Sequence, residues 1–242
     1  MNKFSEILYW ITLIVSIISC ILSIITWLAT IKYTKTKQPP LNFKGQELTH
    51  KPFLFFFIRL FDILSAILAL FMFFPLLIII GGINKVCSGN SIFVRQTILG
   101  KNSQPINLYK FRTKNNAGAE ANYYAFGSFL RKTALNNLPL YFNLLKGDIT
   151  LFGLARIDYN KIDEIESIVA DIKLPYNYYH PGLVSEFALT WNTVKKLDKL
   201  FEYYDFLHVT NMYFLSQLSI KHMLQMLLRT IYLTFKPFDS TN

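Results

Sequence analysis

The sequence predicts a membrane protein, mainly α-helical with a small β component. One N-terminal transmembrane helix and a proline-broken re-entrant helix are expected to precede a membrane-associated cytosolic domain. Three observations predict this. A run of 24 residues, Leu8 to Ile31, carries no charge. A second apolar run, Phe53 to Ile83, is interrupted only early, by Arg59 and Asp62, and has Pro75 within it. The chain is 52% hydrophobic yet carries a formal net charge of +10 over 242 residues. That apolar share lies slightly above the roughly 45–50% of soluble domains. The basic residues interleave with Phe and Leu and form no polar stripe, so the anionic partner they imply is a membrane surface and not nucleic acid.

The first run, as a helix, reaches about 36 Å, enough to cross a hydrocarbon core of about 30 Å. It is long for the apolar part of a cleaved signal peptide, and no small-x-small site precedes the Lys-rich stretch after it. Only Lys3, offset by Glu6, flanks its start, whereas Lys32, Lys35, Lys37 and Lys44 follow its end. The excess of positive charge after the helix places the N-terminus outside and the rest in the cytoplasm. The expected organisation is therefore a transmembrane helix over 1–34, a basic linker over 35–52, a re-entrant helix over 53–85 and a cytosolic domain over 86–242.

The re-entrant reading rests on flanks and on proline. Lys51 and Arg59 lie at the start of the second run, and Lys85, Arg95 and Lys101 follow it. A straight crossing leaves one basic flank on the wrong side of the membrane. Pro75 removes a backbone donor and bends a helix. A helix that enters, breaks near Phe74-Pro75 and returns satisfies both observations; a plain second crossing is the alternative.

Within the cytosolic domain, alternation near Ile92 to Phe111 points to strands. Asn211 to Phe235 reads as an amphipathic helix, with Phe214, Leu215, Leu218, Met223, Met226, Leu227 and Ile231 approximating one face. It lies on the membrane or packs on the core. Trp191 to Phe206 is expected to be helical. Cys20 and Cys87 sit in or beside apolar runs and give no disulfide framework. His50, His180, His208 and His222 lack metal-ligand spacing, so no metal site is expected from them.

An ordered set of motifs occupies Phe57 to Ile231: Arg59-Leu60-Phe61-Asp62; Gly89, Gln96 and Gly100; Tyr109-Lys110-Phe111-Arg112-Thr113; Gly127-x-Phe129-Leu130-Arg131-Lys132-Thr133; and Asn143-x-Leu145-Lys146-Gly147-Asp148. The set resembles the bacterial sugar transferases, monotopic phosphoglycosyl transferases that act on polyprenyl phosphate in glycan assembly. The resemblance implies a bacterial inner-membrane location and a proline-broken hairpin before the catalytic domain. It implies a covalent reaction in which an Asp attacks the sugar-linked phosphate of a UDP-sugar, UMP leaves, and polyprenyl phosphate takes the phosphosugar. A neighbouring Glu contributes to magnesium binding in that family.

The departures from the family pattern fall where that chemistry belongs. The Asp-Glu pair is here Asn136-Asn137, so no intact catalytic residue is expected. Ile98 replaces an arginine and Asn90 a proline. The Gly-Pro-Arg-Pro element reads Gly153-Leu154-Ala155-Arg156, and the Pro-Gly-x-Thr-Gly element reads Pro181-Gly182-Leu183-Val184-Ser185. Nucleophile and metal ligand both need negative charge, which an amide lacks. Magnesium is therefore expected to bind weakly or not at all. Asp148 reads as structural, and Glu186 is the nearest candidate for a relocated nucleophile.

Anion binding is expected to survive. Lys110 and Arg112 are two apart and point to one side of an extended segment. Arg131 and Lys132 precede the pair, and guanidinium forks match phosphate oxygens. The other reading of these four is a basic rim against lipid headgroups. The Tyr176, Tyr178 and Tyr179 cluster reads as packing or as a stacking platform.

Three functions remain open: a non-catalytic partner of an active paralogous sugar transferase or glycosyltransferase, a working sugar-phosphate transferase with a moved nucleophile, and a polyprenyl-phosphate or nucleotide-sugar binding regulator.

Overall fold

The computed structural model describes residues 51–88, 91–114, 123–190 and 199–235. The expected transmembrane helix and all but the end of the expected linker lie outside the described residues, as does Trp191 to Asp198. The chain divides into two compact units, one ending at Ser216 and the other taking up from Gln217. The described residues are mainly helical, with two small two-stranded sheets.

Helix α1, Pro52–Ser88, runs 37 residues and begins on a proline, whose missing N–H costs nothing in a first turn. Its surface is mostly apolar and exposed, including Phe53, Leu68, Phe71 and Ile78, which is compatible with a membrane anchor. Pro75 lies inside it, with helix on both sides. Ile58, Asp62 and Ala66, then Ile80 and Asn84, are buried at spacings of four, so one narrow stripe faces protein. Ala66 joins a core of Ile98, Leu108, Leu140, Leu144 and Ile149. Ile80 joins a second core with Phe111, Leu130 and Leu138.

The two charges that interrupt this apolar run fasten the helix to the rest of the unit. Arg59 donates to the carbonyls of Leu144 and Leu145 at 2.8 and 2.7 Å. Those carbonyls lie in the last turn of helix α3, Leu140–Lys146, where the C-cap Gly147 N–H also reaches the Leu144 carbonyl at 3.2 Å. Gly147 follows with φ of +97°, and a Cβ there would lie 3.1 Å from the Arg59 guanidinium. Asp62 accepts from the Leu151 amide at 2.9 Å.

The expected β component is a hairpin of β1, Phe93–Leu99, and β2, Pro105–Phe111, antiparallel with Phe93 opposite Phe111 and Leu99 opposite Pro105. Asn143 of α3 clasps β2, accepting from Tyr109 N at 3.0 Å and donating to the Asn107 carbonyl at 2.8 Å. A further parallel pair, β3 (Thr150–Phe152) and β4 (Gly182–Val184), was not expected from the sequence. Three-residue strands carry too little alternation to be read. Helices α2 (Ala125–Lys132), α4 (Ile162–Ile168) and α5 (Glu186–Leu189) complete the domain before α6.

The expected single helix from Asn211 to Phe235 is two helices, α6 (Leu200–Ser216) and α7 (Ile220–Phe235). Ser219 provides the reason: its Oγ accepts from the His222 amide at 3.2 Å, an N-cap that starts a new helix. The expected helix over Trp191 to Phe206 is described only from Leu200 onward.

Candidate functional site

The Asn136-Asn137 pair lies between α2 and α3. Helix α2 closes where Thr133 Oγ1 donates to the Phe129 carbonyl at 2.8 Å, and Ala134 then adopts a left-handed conformation at φ 56°. One 3₁₀ turn, Leu135–Asn137, follows. Leu138 and Leu140 are buried on the two sides of Pro139 and pin the turn to the core, while both asparagines stay half-buried. Among the described residues neither amide side chain has a hydrogen-bond partner.

Arg156 shares a cavity with Asn137, and three constraints place its segment. Gly153 and Gly182 approach so closely that a Cβ on Gly182 would sit 2.3 Å from Gly153 N, which only glycine at both positions permits. Ala155 is clamped by α6 and its neighbour: Asn211 Oδ1 accepts from Ala155 N at 2.9 Å, Tyr176 donates to the Ala155 carbonyl, and Asn211 Nδ2 donates to the Tyr176 hydroxyl at 3.1 Å. Beyond it, Ile157 accepts from Leu99 N of β1 at 2.9 Å. Asn137, Tyr141 and Arg156 line a cavity of about 250 Å³ over an apolar floor that includes Leu138, Leu140 and Leu151.

Lys110 belongs to the same electrostatic neighbourhood. Burial, followed by the positive charges of Arg156 and Arg131, pulls its ammonium down to about 8. Its Nζ donates to Gln96 Oε1 at 2.7 Å, an uncharged partner. Arg131 is exposed and lies over the Tyr123 ring at 4.8 Å, with Lys114 over the same ring at 5.0 Å. Lys132 is exposed. Burial also pushes the Tyr141 phenol up, keeping it neutral.

Arg112 goes elsewhere. It lies past the end of β2, and its guanidinium donates to the Ser91 carbonyl at 3.0 Å and Ser91 Oγ at 2.7 Å. It lines a separate groove of about 680 Å³ with Lys85, Arg95 and Tyr109. The expected shared side of Lys110 and Arg112 is therefore not seen, because alternation ends where the strand does. Of the four candidate phosphate residues, Lys110 and Arg131 sit on the two elements, β2 and α2, that pack against the Leu135–Asn137 turn, Arg112 is held apart and Lys132 is on the surface.

The carboxylates near the site are committed elsewhere. Asp148 accepts from Asn143 at 2.9 Å and pairs with Lys146 at 3.4 Å. Glu186, considered for a relocated nucleophile, is 2% exposed and lines neither of these two cavities. The oxygen donors at the cavity are amide and phenol, and its charged residue is a cation, a set that does not fit magnesium. Tyr176 and Tyr179 are buried, which makes them packing. Sequence reasoning missed Arg156, which counted as part of a departed element. The signal was an arginine one position later than in the family's Gly-Pro-Arg-Pro.

Comparison with known proteins places these features in a family. The profile described as "Bacterial sugar transferase" matches residues 53–237. The chain is 28% identical over 172 residues to a UDP-glucose:undecaprenyl-phosphate glucose-1-phosphate transferase of Klebsiella pneumoniae, covering 63% of this chain and 36% of that protein. It is 29% identical over 150 residues to a UDP-N-acetylgalactosamine-undecaprenyl-phosphate N-acetylgalactosaminephosphotransferase of Aeromonas hydrophila, covering 56% of this chain and 34% of that one. It is 32% identical over 134 residues to the exopolysaccharide production protein ExoY of Sinorhizobium fredii, covering 45% and 59%. The matches thus span between a third and three-fifths of these relatives. With the profile covering most of its length, the chain belongs to the bacterial sugar transferase family.

Proposed function

We propose that this protein is a catalytically silent bacterial sugar transferase that serves as a membrane partner of an active sugar transferase or glycosyltransferase in polyprenyl-phosphate-linked glycan assembly. The observation that carries the reading is the chemistry at the Asn137 cavity: an amide where the family has a carboxylate, with Arg156 beside it in the lining, Lys110 in the field of Arg156 and Arg131, and no carboxylate among the described lining residues. An amide oxygen is a poor nucleophile, so phosphate is held there and not transferred.

The relatives' names supply the carrier, a polyprenyl phosphate, and ExoY's supplies exopolysaccharide as the product class. The membrane arrangement belongs to the same proposal. Helix α1 is about 55 Å long, more than a straight crossing of about 30 Å requires. Its Pro75 and the basic residues at both ends support re-entry, with the globular domain on the cytosolic side of the inner membrane and the N-terminus outside.

The test is UMP release by the full chain in nanodiscs with magnesium, undecaprenyl phosphate and a panel of UDP-sugars. No release is expected. Release that persists after removal of any co-purified paralogue would overturn the silent reading. Recovery of a paralogue that keeps Asp-Glu in a pull-down from the native membrane is the expected positive result.

A further inference from the structure

We propose that the Asn137–Arg156 cavity binds a phosphate group without a divalent cation, with Arg156, Lys110 and Arg131 supplying the positive charge that a metal supplies beside a carboxylate pair. The inference rests on the reading of the pair as non-catalytic and concerns what the amides do to binding.

A carboxylate pair repels an incoming phosphate and needs a bound cation to bridge the two. Asparagine reverses that situation. It is neutral, and its amide nitrogen donates two hydrogen bonds to phosphate oxygens. The surrounding cations then act on the ligand without local opposition.

Those cations are not paired with acids among the described residues. Among the described residues the ion pairs use Lys146, Lys173 and Lys199, never Lys110, Arg131 or Arg156. Lys110, among the described residues, bonds to a neutral amide, and its ammonium is depressed first by burial and then by the positive charges of Arg156 and Arg131. The backbone on both sides of Arg156 is fixed through Ala155 and Ile157, which sets where its side chain starts.

At about 250 Å³ the cavity falls below the usual range of roughly 300–1,000 Å³ for drug-sized ligands. It therefore suits the phosphate end of a ligand and not a whole nucleotide sugar. A nucleoside diphosphate and a polyprenyl phosphate present the same group, so both sources are tested.

The experiment measures binding of UDP, and separately of phosphatidylcholine vesicles doped with undecaprenyl phosphate, to the full chain in EDTA and in magnesium. At least one probe is expected to bind with equal affinity in both conditions. Whichever binds in EDTA identifies the source. Arg156→Gln should weaken that binding about tenfold or more, the loss of a charge-assisted contact. Arg131→Gln, at an exposed position, carries the same test if Arg156→Gln fails to fold. The double variant Asn136→Asp/Asn137→Glu should weaken binding in EDTA and recover it in magnesium.

Binding that appears only with magnesium, no binding of either probe, or full affinity in both arginine variants would overturn the inference. UMP release is assayed on the same preparation. Release would sink the silent-partner reading, whereas metal-dependent binding without release sinks only the present one.

Discussion

Two basic regions flank the same hairpin and differ in what their charges do. In the groove near the end of α1, Arg112 is tied to Ser91 through two hydrogen bonds and Arg95 lies over the Tyr109 ring at 5.7 Å. At the Asn137 cavity Arg156 is in the lining, and Lys110, which feels the positive charges of Arg156 and Arg131, has a neutral hydrogen-bond partner in Gln96. The first region uses cations to hold the strand end to the loop before β1. Among the described residues the second region pairs none of its cations with an acid, leaving a positive field that an anionic ligand relieves. Two residues of one short motif, Lys110 and Arg112, thus serve different ends.

The largest way to break the comparison is Gly182→Ala. Its Cβ would meet Gly153 N at 2.3 Å, so β3 and β4 must separate. Overpacking of this kind costs about 3 kcal/mol. Chemical denaturation should show that loss, and UDP affinity should fall with it, because the segment carrying Arg156 follows Gly153 directly.

Asn211→Leu comes next. It leaves the Ala155 amide without an acceptor in a buried setting, a loss of about 2 kcal/mol. It touches no ligand atom, so its effect on phosphate affinity is one of position. Tyr176→Phe should reproduce a weaker version of it. Arg112→Ala is smaller still. Loss of the bonds to exposed Ser91 costs about 1 kcal/mol. UDP affinity in EDTA should be unchanged, and a drop comparable to that of Arg156→Gln would erase the distinction between the two regions.

What was legible in the sequence follows the range of the interactions. The hairpin over β1 and β2 showed itself by alternation, which is a local property. The length of α1 showed itself by composition. Arg59 and Asp62 were visible as interruptions, but their roles as anchors to α3 and Leu151 depend on contacts far along the chain. The Asn136-Asn137 pair was found at once, since it interrupts a contiguous motif. Arg156 was not, because the approach of Gly153 to Gly182 and the Asn211 clamp that place it join segments remote in sequence. The diversion of Arg112 was hidden for a different reason: strand periodicity stops at Phe111, so spacing of two no longer fixes a side. The helix break between α6 and α7 was carried by a single serine cap, outweighed in a reading built on apolar periodicity.

The smallest predicted effect is the most discriminating, because it belongs to Lys110 alone. Its ammonium titrates at about 8 in the folded chain against an ordinary 10.5. A lysine depressed on folding binds its proton more weakly when folded, so between those values the unfolded chain holds more protons and stability rises with pH. Below about 8 the cost of keeping the charge is fully present. Phosphate affinity moves the opposite way, weakening a few-fold as pH climbs through 8 and the cation is lost. The groups that act on Lys110 do not confuse the signal: Gln96 is neutral, and guanidinium groups keep their charge across this range. Lys110→Arg should flatten the profile while keeping affinity, and Lys110→Met should flatten it at the weak level. Arg112→Ala should leave it as it is in the native chain. A profile that instead changed with Arg112 would mean that the two basic regions act as one.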